Sequence, residues 1–189
     1  MDEYPLRVNR VPMKILWMEF AYLLAEGRSS CQRFQVGCVI TDADFTRSLS
    51  LGYNGSHRGG PNQCDAPTVP GGCGCLHAED NAIAKLDYRE PTKVMFVTAA
   101  PCKTCAKRII NAGITKVYFA DHYRHSDGIA LLKEAGVPIE YIEEFYIDND
   151  STNGKGENAM MQVFLKYFGM DDNEYDDDDF YEDEDDEDS

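Results

Sequence analysis

HAEDNAIAKL at residues 77–86 and PCKTCAKRIIN at residues 101–111, with the apolar run VMFVTA between them at residues 94–99, decide how this chain folds. The pattern reads as helix, strand, helix. His77 and Glu79 are two residues apart, which cannot place them on one helix face, where partners stand three or four apart. In a first helical turn, both can lean toward a point just beyond the helix end. Cys102 and Cys105 open the next helix behind Pro101, a residue suited to helix entry. The helix dipole there favours thiolates. One histidine and two thiolates suit zinc and leave its fourth position open, the arrangement of a catalytic rather than a structural ion. Water bound at that position can lose its proton near neutral pH. Glu79 is then not a ligand: it stands beside the water, takes its proton and passes it to a substrate. The plain alternative is a closed structural zinc with Glu79 as a solvated helix-start acid, although a structural zinc normally takes four protein ligands.

Outward from this unit, apolar residues recur at Leu16, Trp17, Phe20, Ala21 and Leu24, a helical stripe beginning at Met13. Ile15, Met18, Tyr22 and Leu23 make the rest of the helix apolar too. That predicts burial on several sides, within the domain or against another subunit. Gly27 is expected to end it. VGCVIT (Val36–Thr41) reads as a strand, DADFT as a turn, and a second strand runs to about Tyr53. A long loop rich in glycine and proline, residues 54–75, then leads into the helix His77–Leu86; loops of this length are usually functional. Beyond the central unit follow strand Lys116–Ala120, helix Asp127–Ala135, strand VPIEYI, a linker, and a last helix Ala159–Phe168. Strands alternating with helices predict an α/β fold: a mainly parallel sheet covered on both faces and opened by an antiparallel hairpin.

Composition bounds the function. Of the 34 acidic residues, 14 fall in Asp171–Ser189, which carries no base, leaving 20 acids against 18 bases. The body is nearly neutral, and the tail is read as disordered because a self-repelling run buries almost nothing. Such a chain has no basic, aromatic-studded groove for a polynucleotide. The segment ILWMEFAYLLA is broken by Glu19 and too short to span a bilayer, and MDEYPLRVNR lacks the basic start of a secretion signal. A cytoplasmic location is therefore expected, and seven cysteines then argue for metal or catalysis over disulfides.

His-x-Glu followed by Pro-Cys-x-x-Cys resembles the signature of zinc-dependent nucleobase deaminases. Other blocks narrow the likeness: RSSCQRFQVGCVI (Arg28–Ile40), GYNGS (Gly52–Ser56), HAEDNAI, PCKTCA and AGITKVYFADHYR (Ala112–Arg124) occur in that order. Over residues 13–142 the chain resembles the deoxycytidylate deaminases. The resemblance implies a three-layer α/β/α cytidine-deaminase-like fold with a mixed five-stranded sheet. Residues 1–147 would form the deaminase domain, 148–170 a linker and C-terminal helix, and 171–189 the disordered acidic tail. It implies hydrolysis of dCMP to dUMP, the precursor of dTMP, by attack of zinc-held hydroxide on C4 of cytosine with loss of ammonia. It also implies a homohexamer, activation by dCTP, and inhibition by dTTP with Mg²⁺. A phage origin, and hence a host cytoplasm, would suit the acidic tail. Other readings are a deaminase of another cytosine or purine compound, or a non-catalytic nucleotide-sensing zinc protein that would have had no need of Glu79.

By position, the likeness makes His77, Cys102 and Cys105 the zinc ligands and Glu79 the proton shuttle. Ala78 and Ala99 would touch the base, Asn54 the sugar, and Arg33, Tyr123 and Arg124 the nucleotide and phosphate end. The plain alternatives are a salt bridge for Arg33, packing for Tyr123 and turn geometry for Asn54. Gly52, Tyr53, Gly55 and Arg58 would belong to a regulatory nucleotide site, the alternative being a flexible loop. Some relatives hold a second, structural zinc. Here Cys31, Cys64, Cys73 and Cys75 are the candidates, with His57 able to replace one cysteine, against free or partly buried thiols. Cys38 is expected in the core.

Overall fold

The computed structural model describes residues 10–66, 68, 72–87, 89–122 and 126–143. Tyr123, Arg124, the expected last helix and the acidic tail lie outside the described residues. The elements in chain order are α1 (Met13–Arg28), β1 (Gly37–Asp42), β2 (Ser48–Tyr53), α2 (Ala78–Ile83), β3 (Lys93–Ala99), α3 (Lys103–Asn111), β4 (Ile114–Asp121), α4 (Asp127–Glu134) and β5 (Ile139–Tyr141). The strands form one five-stranded sheet in the order β2-β1-β3-β4-β5. β1 is antiparallel to both β2 and β3, whereas β3, β4 and β5 run parallel. The sheet is therefore mixed half and half rather than mainly parallel, because the hairpin joins the parallel strands through its first strand.

Alternation along the central strands divides the core into two layers. Cys38, Ile40, Met95, Val97, Val117 and Phe119 face α2, α3 and α4. Val39, Val94, Phe96, Tyr118 and Ala120 face α1. Burial on both faces is why these strands read as nearly unbroken apolar runs. On the α1 side Phe96 and Tyr118 stack at 4.9 Å, and Phe45 meets both rings edge-on. Phe45 has a positive φ of 59° in the turn between β1 and β2. The Asp42 carboxylate accepts from the Thr46 N–H and hydroxyl there, and the Trp17 indole N–H donates to the Phe45 carbonyl at 3.0 Å. These bonds and the ring packing hold a conformation that a bulky residue seldom adopts.

Helix α1 departs from expectation in two ways. Its buried face is Ile15, Met18, Ala21 and Ala25, while Leu16 and Leu23 point outward, 38% and 49% exposed. A helix apolar all round carries no phase information. The small side chains of Ala21 and Ala25 decide the phase by letting the helix lie close to β1. Nor does Gly27 end the helix: it continues to Arg28, and Ser29 turns the chain away, its hydroxyl bonding the Asn54 side chain at 2.6 Å. Helix α2 is shorter than the expected His77–Leu86, because residues after Ile83 turn tightly back through Lys85 N–H to Ala82 and Leu86 N–H to Ile83.

Candidate metal-dependent active site

The C-terminal ends of the parallel strands, where α/β sheets usually bind ligands, carry the functional residues. His77 is the N-cap of α2 and Cys102 the N-cap of α3, both with extended backbone. Two neighbours fix these starts. Gly52 of β2 lies so close to α2 that a Cβ there would stand 2.1 Å from the Ala78 carbonyl oxygen. Gly128 of α4 presses equally hard on the Pro101–Cys102 turn, with an added Cβ 1.9 Å from the Pro101 oxygen. Arg108 of α3 forms an ion pair with Asp80 of α2, tying the two helices together. Neither Asp80 nor Arg108 stood out in the sequence, where each reads as an ordinary surface charge.

The structure brings His77, Cys102 and Cys105 together, their ligand atoms within 4.8 Å of one another. His77 Nδ1 faces both sulfurs, 3.7 Å from Cys102 and 3.3 Å from Cys105. Zinc bonds of about 2.0 Å to nitrogen and 2.3 Å to sulfur, set tetrahedrally, put nitrogen and sulfur about 3.6 Å apart. The three atoms therefore fit one zinc without rearrangement. The Cys105 backbone N–H also reaches Cys102 Sγ at 3.5 Å. That sulfur is held low, at about 3, by the Cys105 thiol and by His77, and the Cys102 sulfur in turn lifts His77 to about 9. The Cys105 thiol is pushed up by the Cys102 sulfur and by burial. The protein alone thus sets a thiolate against an imidazolium, whose proton a cation would replace.

Glu79 is 4% exposed and belongs to no metal cluster among the described residues. Burial pushes its carboxyl up to about 7, a range in which a group can both take and return a proton at neutral pH. It lines a cavity of about 330 Å³ with His77, Cys102, Ala78, Ala99 and Arg33. Phe34, Val36 and His122 line it as well and were not singled out from the sequence, and Ala100, directly before Pro101, lines it beside Ala99. Phe34 and Val36 follow the expected Arg33 by one and three residues. His122 lies one residue past β4, stacked on Tyr141 at 4.7 Å and edge-on to Phe119; the end of a parallel strand was the available signal.

Asn54 also lines the cavity, and its side chain organises the neighbouring segment. Oδ1 accepts from the Ser29 hydroxyl and the Val36 N–H (2.6 and 2.8 Å), and Nδ2 donates to the Phe34 carbonyl at 2.7 Å. Gly52 and Gly55 occupy packed positions, against α2 and against the Ser30 side chain. Tyr53 lies under two cations, Arg28 and Lys85 at 5.6 and 5.9 Å, and Arg58 is exposed.

A second cluster joins Cys31, Cys64, Cys73 and Cys75, again within 4.8 Å. Three of its sulfur–sulfur distances are 3.4 Å (Cys64–Cys75), 3.8 Å (Cys31–Cys64) and 4.0 Å (Cys31–Cys73). A tetrahedron of zinc–sulfur bonds of about 2.3 Å has edges of about 3.8 Å, so four thiolates fit one ion here too. His57 is not in the cluster; its Nδ1 meets the Arg58 carbonyl. Cys38 is fully buried in the core.

A mixed sheet whose strand ends carry a His-Cys-Cys cluster and a buried glutamate is the architecture of a zinc-dependent deaminase. Residues 13–121 match the family described as the cytidine and deoxycytidylate deaminase zinc-binding region, and the chain belongs to that family. It is 36% identical over 143 residues to ComE operon protein 2 of Bacillus subtilis, covering 72% of this chain and 74% of the relative. It is 32% identical over 160 residues to the human deoxycytidylate deaminase, covering 74% of this chain and 86% of that one. Among solved structures it resembles a dCMP deaminase of the cyanophage S-TIM5 in complex with dCMP and dUMP. That likeness has 34% identity and a TM-score of 0.61, and covers 71% of this chain and all of that one. Among the described residues no helix is long and apolar enough to cross a membrane.

Proposed function

We propose that this chain deaminates dCMP hydrolytically to dUMP and ammonia, supplying the precursor of dTMP. The observation that carries the reading is one cavity lined by His77 and Cys102 of the zinc-fitting cluster, whose third member Cys105 is buried behind them, by a buried glutamate outside the ligand set, and by an arginine. Zinc bound there would supply an acidified water. Glu79, at the same wall, takes one proton from the attacking water and delivers it to ring N3, then takes the second from the new C4 hydroxyl and delivers it to the departing amine, so that the C4 carbonyl and ammonia form together. Ala78 and Ala99 offer backbone groups and small side chains where a flat base would lie. The Asn54 amide has a second N–H available to a sugar hydroxyl. Arg33 supplies the guanidinium that a monophosphate needs, with Tyr123 and Arg124 completing that end. The likeness to human and cyanophage dCMP deaminases supports the choice of substrate.

The finer features of the proposal come from the same family resemblance. They are a second zinc at the four cysteines, activation by dCTP, inhibition by dTTP with Mg²⁺, and assembly into a homohexamer acting in the cytoplasm. Arg28 and Lys85, both over the Tyr53 ring at the end of β2, and exposed Arg58 are the cations that would meet an anionic effector. The outward apolar side chains of α1, Met13, Leu16 and Leu23, suit burial against another subunit. The test is a substrate panel of dCMP, deoxycytidine and a cytosine-containing single-stranded oligonucleotide, each with and without dCTP and Mg²⁺. Preference for dCMP supports the proposal, and stimulation by dCTP supports regulation. Turnover of the oligonucleotide or of deoxycytidine in preference to dCMP overturns the substrate assignment.

A further inference from the structure

Three thiols that line the cavity take no part in the deamination proposed above. Cys31, Cys73 and Cys75 line the cavity together with Arg33 and Phe34. Three connections link the four-thiol cluster to the substrate-binding surface. The Cys31 sulfur accepts the backbone N–H groups of Arg33 and Phe34. Cys75 lies two residues before His77. Leu76, between them, is bridged to Gly55 by N–H···O bonds of 2.8 and 3.1 Å in both directions. Among the described residues of loop 56–75, backbone bonds join Gly60 to His57, Gln63 to Pro61, and Asp65 and Ala66 to Cys73. An ion shared by the four thiolates would cross-link Cys31 to this loop at Cys64, Cys73 and Cys75. The segment from Ser29 to Val36 is tied to Asn54 by side-chain and backbone bonds and to Ser56 through the Ser30 hydroxyl, and an ion on Cys31 would add the tie nearest Arg33 and Phe34.

We infer that the metal at Cys31, Cys64, Cys73 and Cys75 is a substrate-affinity element. It holds the Arg33–Phe34 arm against the nucleotide end of the cavity, so its occupancy sets affinity for the nucleoside monophosphate. The His77–Cys102–Cys105 centre sets the rate of the chemistry. The inference rests on the dCMP reading above and adds to it a division of labour between two ions.

Cys64 is the residue to change, because it belongs to the cluster but does not line the cavity. In a Glu79→Gln background, which prevents turnover, dCMP binding is measured by calorimetry and zinc by elemental analysis, with and without Cys64→Ser. The expected result is a fall from two zinc ions per chain to one and a rise in the dCMP Kd of at least about tenfold. In the otherwise native enzyme, KM rises in parallel while kcat at saturating dCMP stays within about twofold. Should Cys64→Ser fail to fold, Cys64→His keeps a fourth, weaker ligand. A competing chelator then titrates the second zinc from the folded protein, and the dCMP Kd is expected to follow its occupancy. Loss of one zinc with an unchanged dCMP Kd overturns the inference, as does a Cys64→Ser protein that keeps two. No dCMP binding by the two-zinc Glu79→Gln protein, with Cys64 intact, overturns the dCMP reading and this inference with it.

Discussion

Replacing Gly52 by alanine adds a single methyl at a residue that does not line the cavity, yet it should disable the enzyme. The new Cβ would stand 2.1 Å from the Ala78 carbonyl oxygen, 2.6 Å from the Ala82 nitrogen and 3.0 Å from the Ala82 side chain. Ordinary carbon contacts begin near 3.5 Å, so α2 must retreat from β2 by about 1 Å. The obstructing atoms are mostly helix backbone, which cannot rotate aside. The first turn of α2 carries His77 and Glu79, and catalytic groups tolerate displacements of only about 0.5 Å. A misplacement of about 1 Å costs roughly a hundredfold in rate, and overpacking costs about 1–3 kcal/mol of stability. The expected Gly52→Ala enzyme folds with a Tm lower by roughly 3–9 °C and shows kcat/KM for dCMP reduced about a hundredfold. Steady-state ultraviolet assays and thermal melting followed by circular dichroism measure both. If Gly52 instead serves a regulatory phosphate, the variant keeps its basal rate and loses only its response to dCTP. That outcome refutes the packing argument.

Asn54→Ala removes three side-chain hydrogen bonds from a buried position, each worth about 1 kcal/mol. A loss of about 3 kcal/mol in urea unfolding and a raised KM for dCMP are expected; unchanged stability would mean the Ser29–Val36 segment has stronger anchors than this amide. Treatment with a strong chelator should abolish activity and release zinc, with zinc add-back restoring turnover. Cys102→Ser should resist that rescue. Asp121 accepts a 2.9 Å bond from the Tyr22 hydroxyl, but burial raises its pKa. A carboxyl raised in the folded state stabilises the protein while protonated and less so as pH rises through its folded-state value. Asp121→Asn, which still accepts from Tyr22, should flatten the stability profile just above the ordinary aspartate range; an unchanged profile contradicts the assignment.

The strands and the His77–Cys102–Cys105 cluster were legible because each is written locally. VMFVTA is apolar enough to announce burial on both faces, and His77, Glu79, Cys102 and Cys105 sit at helix starts that the sequence marks. The four-cysteine set was legible as a list, but its closure depends on Cys31 meeting a loop more than thirty residues away. Only the fold establishes that meeting. What sequence could not supply was phase and distance. Helix α1 is apolar all round, so the turn at which Ala21 meets β1 could not be read. Gly52 looks like a loop glycine until α2 is placed on it. Asn54 reads as a turn residue, whereas its amide organises Ser29, Phe34 and Val36. His122 carries no motif of its own and gains meaning from its place at the end of a parallel strand.

The central claim, zinc-dependent deamination of dCMP with Glu79 moving the proton, is tested most directly by one paired assay. Native protein and Glu79→Gln, matched for zinc content, are given dCMP, and dUMP and ammonia are quantified together. Native enzyme should form the two products in equal amounts, and Glu79→Gln should form neither while holding the same zinc. Turnover by Glu79→Gln, or none by the zinc-loaded native protein with dCTP and Mg²⁺ present, would contradict the account.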